Sequence, residues 1–202
     1  DIIGESPFDA DITEAVQPGK EQCLAVRVTN PGGNLHWQDF NEMYWGKYQI
    51  PPGRSFGGII GRVRLDAVSP VYVSDIYMQN QPERTKVKAI LTVNNTSAKT
   101  EKQDIYFSVY EKENPGKVIL EKKLPRVALK QGTNVVTMEL HCPEARIWDL
   151  DTPYLYVCGV DVKSGKKLSD RAVQTFGFRW FEPVGIGKDA MLRLNGRRVL
   201  LR

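Results

Sequence analysis

Three features of the sequence predict an all-β fold. Nearly every apolar segment alternates with a period of two residues, as strands do when one face is buried and the other wet. No window carries a sustained helical stripe. Between Val71 and Arg179, about seven such segments are separated by turn signals at Asn94-Asn95, Asn114-Pro115-Gly116, Gln131-Gly132 and Ser164-Gly165. That count and spacing fit an immunoglobulin-like β-sandwich of ~100 residues.

The elements follow in order. CLAVRVTN sets Leu24, Val26 and Val28 against Ala25, Arg27 and Thr29, and IIGRVRL sets Val63 and Leu65 against Arg62 and Arg64. KVKAILTVNN points Val87, Ala89, Leu91 and Val93 inward, and DIYFSVYE does so with Ile105, Phe107 and Val109. TNVVTMEL offers Val136, Met138 and Leu140; YLYVCGVDV offers Tyr156, Cys158, Val160 and Val162. Pro153 has no N–H to give to a ladder, so it belongs at a strand start, with Tyr154 to Val162 as the strand. Trp148, just ahead of it, brings a large apolar face to cap the core. Phe176 and Phe178 share a face, and Gly177 between them permits a close backbone approach. In MLRLNGRRVLLR, Asn195-Gly196 stands between two apolar runs and predicts a type I′ hairpin, because both residues tolerate positive φ.

The flanks read differently. Residues 1–69 hold two or three convincing strands and a long irregular stretch from Pro31 to Ser55, too little sheet for an independent sandwich. Residues 182–202 hold a linker, EPVGIGKDA, and a hairpin whose second strand has barely begun at Arg202. The expected organisation is therefore part of a larger β domain at 1–69, a complete sandwich at 70–181, and a linker and hairpin at 182–202 built to dock elsewhere. Open sheet edges in such pieces make self-association an expectation.

Composition narrows the function classes. With 41% hydrophobic residues the chain can bury a core, and 28 basic against 24 acidic residues give a net charge of only +4. The tightest basic groups, Lys166-Lys167 and Arg197-Arg198, adjoin turns, so a nucleic-acid surface is not expected. No stretch approaches the ~18 apolar residues of a membrane span. DIIGESPFDADIT is not a signal peptide; an export signal would lie upstream of residue 1, and the compartment stays open. Cys23, Cys142 and Cys158 are odd in number and widely spaced, which argues against a disulfide framework or a zinc site. Cys23 and Cys158 are expected as buried thiols, and a Cys142–Cys158 bridge is left open.

Five segments, GESPFDADIT with LAVRVTN, FGGIIGRVRL, WDLDTPYLY, TFGFR and LNGRRVLLR, stand in an order that resembles glycoside hydrolase family 2, the β-galactosidases, β-glucuronidases and β-mannosidases. GESPFDADIT, then Gly19 and LAVRVTN, is similar to the family's jelly-roll sugar-binding domain through Gly4, Pro7, Phe8, Asp11, Ile12, Thr13, Leu24, Val26, Val28 and Asn30. Gln22 departs from the family's usual Asn. FGGIIGRVRL resembles the segment that closes that domain, and WDLDTPYLY matches the family spacing through Trp148, Pro153, Leu155 and Tyr156. TFGFR and LNGRRVLLR resemble the passage into a (β/α)₈ catalytic barrel. The resemblance implies a retaining mechanism, with two glutamates ~5–5.5 Å apart, carried on barrel strands downstream of Arg202. No carboxylate in this chain is carried over as catalytic, no cofactor or metal is implied, and Arg179 is the candidate anchor between sandwich and barrel.

One stretch is a candidate binding site on its own residues. HWQDFNEMYWGKYQIPPGR interleaves Trp37, Phe40, Tyr44, Trp45 and Tyr48 with His36, Asp39, Asn41 and Glu42. Flat aromatic rings suit the C–H faces of sugars, and carboxylates and amides suit their hydroxyls. Trp37, Asp39, Glu42, Tyr44 and Trp45 are therefore the candidate sugar contacts, against the plainer reading that they pack the loop down. Asp39 and Glu42 are not expected to be a catalytic pair. His36 and His141 lie far apart with no serine elbow, which disfavours a triad. GGIIG and GIG lead into strands and not helices, which disfavours a phosphate loop. Asn94-Asn95-Thr96-Ser97 carries glycosylation sequons that matter only in a eukaryotic secretory setting.

The expected function is thus the non-catalytic sugar-binding and immunoglobulin-like portion of a β-glycosidase, with β-galactosides favoured and the isolated chain inactive. Its partners would be a β-glycoside in the intact enzyme and the barrel of the same polypeptide. The alternatives are a stand-alone sandwich that binds carbohydrate or protein, and a purely structural scaffold.

Overall fold

The computed structural model describes residues 8–28, 59 and 61–200. The chain divides into two compact units, Asp1–Asp66 and Ala67–Arg202. All of the regular structure among the described residues lies in the second unit. Its strands are β1 (Val71–Asn80), β2 (Lys86–Asn95), β3 (Glu101–Glu111), β4 (Asn114–Leu129), β5 (Gly132–His141), β6 (Tyr156–Ser164), β7 (Lys167–Phe176), β8 (Phe181–Val184), β9 (Met191–Leu194) and β10 (Arg197–Val199).

The first seven strands make two antiparallel sheets, β1-β2-β5 and β4-β3-β6-β7. The alternation read from the sequence decides which faces meet. Val87, Ala89, Leu91 and Val93 of β2 are fully buried, as are Ile105 and Val109 of β3 and Cys158, Val160 and Val162 of β6. In register they form cross-strand pairs: Leu91 opposite Val136, Phe107 opposite Val160, Val109 opposite Cys158. Both inner faces belong to one apolar cluster, the core of a β-sandwich. At one edge the two sheets are tied by Asp170 of β7, whose carboxylate accepts the Val73 N–H at 2.7 Å beside a bulge in β1.

Edge strand β4 shows how the sequence handles a proline inside a sheet. Its register slips between Gln103–Val127 and Ile105–Leu124, which leaves Pro125 and Arg126 bulged opposite Asp104. Arg126 adopts φ 52°, and its N–H donates to the Asp104 carboxylate at 2.8 Å. A second slip falls where the sequence suggests a turn. The loop between β3 and β4 is Lys112-Glu113, and Pro115 to Lys117 bulge out of the ladder instead. That bulge carries Lys117 to Glu111, with Nζ 2.6 Å from Oε1.

The expected linker is partly a strand. Phe181–Val184 pairs with β9, so β8-β9-β10 forms a separate three-stranded sheet. The turn between β9 and β10 has φ 51° at Asn195 and 80° at Gly196, as a type I′ hairpin requires.

The first unit departs from the sequence reading. Asp11 accepts the Thr13 N–H at 2.9 Å, and Ala15 and Val16 donate to Ile12 to close a turn. Residues 23–28 and 61–65, the described parts of the segments CLAVRVTN and IIGRVRL expected as strands, are not paired into sheet among the described residues. Their apolar positions are open: Leu24 is 66% exposed and Leu65 is 79% exposed. Alternation states which side chains a sheet would bury; no sheet neighbour for these residues lies among the described ones. Cys23, expected buried, is exposed in the same segment, whereas Cys142 and Cys158 are buried free thiols.

Candidate functional site

Trp37, Asp39, Glu42, Tyr44 and Trp45, the candidate sugar contacts, lie outside the described residues, as do His36, Phe40, Asn41 and Tyr48. The remaining predicted site residue, Arg179, sits where the sandwich meets the small terminal sheet.

Backbone packing builds that joint. Phe178 follows β7, bridges to Ile147 in a parallel sense, and accepts the Trp148 N–H at 2.9 Å. This lays the Trp148 side chain against Gly177 so closely that an added Cβ there would lie 2.9 Å from the Trp148 Cβ. Any side chain at 177 would lift the tryptophan off its seat. Above the indole lies the Arg179 guanidinium, 4.6 Å from the ring centroid, a cation–π contact. The Arg179 N–H donates to the Asn80 side chain at 3.3 Å, and Asn80 in turn donates to the Gly177 carbonyl at 3.0 Å. Among the described residues no carboxylate pairs with Arg179.

Beneath the joint, aromatic rings close the end of the core. Phe178 meets Tyr156 at 5.2 Å and Phe176 at 5.0 Å, both edge to face. The Tyr156 hydroxyl accepts the Arg146 N–H at 2.8 Å. A tyrosine two residues before a core cysteine, bonded back to upstream backbone, is the tyrosine corner of immunoglobulin-like sandwiches. Burial raises the Tyr156 pKa above its ordinary value. Next to it Glu111 is held ionised, first by Lys117 and then by the Tyr154 hydroxyl, and its pKa is lowered.

A second concavity, of about 520 Å³, lies on the outer face of β4-β3-β6-β7. Its floor is Gly159, where a Cβ would approach the Ser108 hydroxyl to 2.8 Å. Tyr106 stands in it with Lys163 at 4.7 Å and Lys123 at 4.9 Å from its ring. Asp161 receives two bonds from Arg171, at 2.6 and 2.8 Å, and pairs with Lys163 at 3.3 Å. These charges satisfy one another.

The protonation states limit what the described residues can do. Retaining glycoside hydrolysis needs one carboxyl kept protonated near neutral pH beside an ionised one. Every described carboxyl with a shifted pKa moves down. Lys123 lowers Asp104, Arg171 lowers Asp161, Lys117 lowers Glu111, and Thr13 lowers Asp11. The buried thiols move the other way, Cys142 to about 11 and Cys158 to about 12, chiefly by burial, so neither is a thiolate nucleophile at neutral pH. The described geometry positions backbone and rings.

The sequence reading missed the Tyr156–Arg146 bond, the Gly159 concavity and the bonds of the Asn195 side chain. For Tyr156 a signal existed, since the tyrosine–x–cysteine spacing was readable. The other two need the register.

The model of the family "Glycosyl hydrolases family 2" matches residues 71–179, the sandwich through Arg179. A β-glucuronidase of Formosa agariphila is 24% identical over 212 residues, covering 98% of this chain and 21% of that protein. A β-galactosidase of Bacteroides ovatus is 26% identical over 201 residues, covering 96% of this chain and 21% of that protein. The chain thus spans about a fifth of the length of these curated relatives. A solved family-2 glycosyl hydrolase of Bacteroides cellulosilyticus shares the fold at a TM-score of 0.54 and 21% identity, over 65% of this chain and 18% of that one. With the matched residues covering more than half of its length, the chain belongs to glycosyl hydrolase family 2.

Proposed function

We propose that residues 1–202 are the non-catalytic sugar-binding and immunoglobulin-like portion of a retaining β-glycosidase that acts on β-galactosides. The observation that carries this reading is the family match over 71–179, the sandwich itself, in a chain that spans about a fifth of its curated relatives. In this reading 1–69 belongs to a jelly-roll sugar-binding domain and 70–181 is the complete sandwich. Residues 182–202 lead into a (β/α)₈ barrel that follows. Trp37, Asp39, Glu42, Tyr44 and Trp45 border the active site, and Arg179 anchors the barrel through a carboxylate of that domain.

The β-galactosidase relative supports the choice of sugar, and the β-glucuronidase relative defines its rival. The test uses the longer enzyme that carries this chain, assayed with nitrophenyl β-galactoside and β-glucuronide. A higher kcat/KM for the galactoside is expected, and a preference for the glucuronide overturns the assignment. Trp37→Ala with Trp45→Ala is expected to raise KM more than it lowers kcat; unchanged constants remove the aromatic stretch from the active site.

A further inference from the structure

Among the described residues the terminal sheet β8-β9-β10 shares no ladder with the sandwich, yet one side-chain amide hydrogen-bonds to both sides of the joint. Asn195 sits in the left-handed region at the first position of the β9–β10 turn, with φ 51°. Its backbone N–H donates to the Trp180 carbonyl at 2.9 Å, and its side-chain oxygen accepts the Trp180 N–H at 3.1 Å. Its side-chain N–H₂ then donates to the Trp148 carbonyl at 2.7 Å. Trp148 belongs to the β5–β6 connection and is itself fixed to the sandwich by its N–H bond to Phe178 and its seat on Gly177. One amide therefore closes the hairpin onto its own sheet and bonds that sheet to the sandwich.

The other attachments cannot set direction in this way. Arg197 reaches Asp149 at 3.6 Å and Asp151 at 3.8 Å, but its side chain is 72% exposed, so the pairs are screened and mobile. Leu194 is buried, and apolar burial has no preferred angle. Arg84 lies 5.5 Å from the Trp180 ring, at the long end of a cation–π contact. The hydrogen bonds of Asn80 and Trp148 hold residues 177–179, ahead of the terminal sheet; from within the sheet, the short hydrogen bond of Asn195 is the directional contact.

We infer that Asn195 is a positioning residue whose amide latches the terminal sheet to the Trp148 carbonyl and so fixes the direction in which the chain leaves the sandwich. The use of that direction to seat a catalytic barrel rests on the proposed function; the latch does not. Two variants separate the latch from the turn. Asn195→Gly keeps the positive φ and removes both side-chain bonds, whereas Asn195→Asp keeps an acceptor for Trp180 and loses the donor to Trp148.

The test is made on the 202-residue chain by measuring residual dipolar couplings and amide exchange. In the wild type one alignment tensor fits the amides of 71–176 and 191–199 together. In both variants the terminal-sheet couplings are expected to shrink or need a second tensor, while those of the sandwich stay unchanged. Trp180 exchange is expected to rise roughly fivefold in Asn195→Gly, the loss of one typical hydrogen bond, and to stay near wild type in Asn195→Asp. If β9–β10 melts in Asn195→Gly, the couplings of Asn195→Asp decide alone. Terminal-sheet couplings that still fit the sandwich tensor in Asn195→Asp overturn the inference.

Discussion

Residues 86–95 and 23–28 look alike as sequence. Both alternate apolar and polar side chains, and both read as half-buried strands. In the structure the first is the central strand of a sheet with four apolar side chains fully buried, and the second has no sheet partner among the described residues, with Leu24 and Val26 more than half exposed. The difference lies in neighbours. Lys86–Asn95 has β1 on one side, β5 on the other and a second sheet across the core. The pattern in 23–28 names a face, but nothing described in its own unit covers it. Period-two alternation is a statement about a sheet, and one segment supplies only half of it.

That comparison is easiest to break at its extremes. Leu91→Ala removes a fully buried side chain and is expected to cost about 2–5 kcal/mol, whereas Leu65→Ala, at an exposed position, stays within about 0.5 kcal/mol. Urea denaturation of the two variants checks this, and equal losses would erase the distinction between the regions. Gly177→Ala comes next, at about 1–3 kcal/mol, because its Cβ has Trp148 at 2.9 Å and the backbone cannot withdraw. Its signature beyond lost stability is an altered Trp148 emission.

Acid sharpens the comparison further. Asp104, Asp161 and Glu111 have pKa values held below ordinary carboxyl values, mainly by Lys123, Arg171 and Lys117. A carboxyl depressed by folding stabilises the native state above its unfolded pKa and loses that stabilisation as pH falls through the native value. The sandwich is therefore expected to weaken as pH drops from the ordinary range of 3.8 to 4.5 downward, with little change between pH 6 and pH 8. Melting followed against pH would contradict this if stability fell already near neutrality. Smallest in energy is the thiol pattern. Cys23 should react with a thiol reagent at once, and Cys142 and Cys158 only on unfolding, since both are buried and raised to about 11 and 12. Rapid labelling of all three would mean an open core.

What the sequence made legible was whatever a residue decides with its neighbours in the chain. Val87, Ala89, Leu91 and Val93 fall inward because alternation is local, and Asn195-Gly196 forms its hairpin because both residues accept positive φ. The rest depends on register. Asn114-Pro115-Gly116 reads as a turn, but the two-residue loop Lys112-Glu113 makes the reversal, Asn114 pairs with Glu111, and Pro115 to Lys117 bulge from the edge strand. Glu182–Val184 reads as linker, and with Phe181 it forms a strand because β9 offers it a partner. The candidate site divides in the same way. Gly177 was legible as a close approach, but the group approaching it, Trp148, comes from another part of the chain. Arg179 was chosen as an anchor, and the structure adds the Trp148 ring beneath it. The aromatic stretch around Trp37 and Trp45 lies outside the described residues.

The direct test of the account is catalytic. The purified 202-residue chain is incubated at high concentration with nitrophenyl β-galactoside and β-glucuronide, and release of nitrophenol is followed for hours. The account predicts release no faster than in buffer. Release that scales with chain concentration, and that a 2-fluoro glycoside inactivator abolishes by trapping a covalent intermediate, would place a retaining carboxylate pair inside these residues and contradict it.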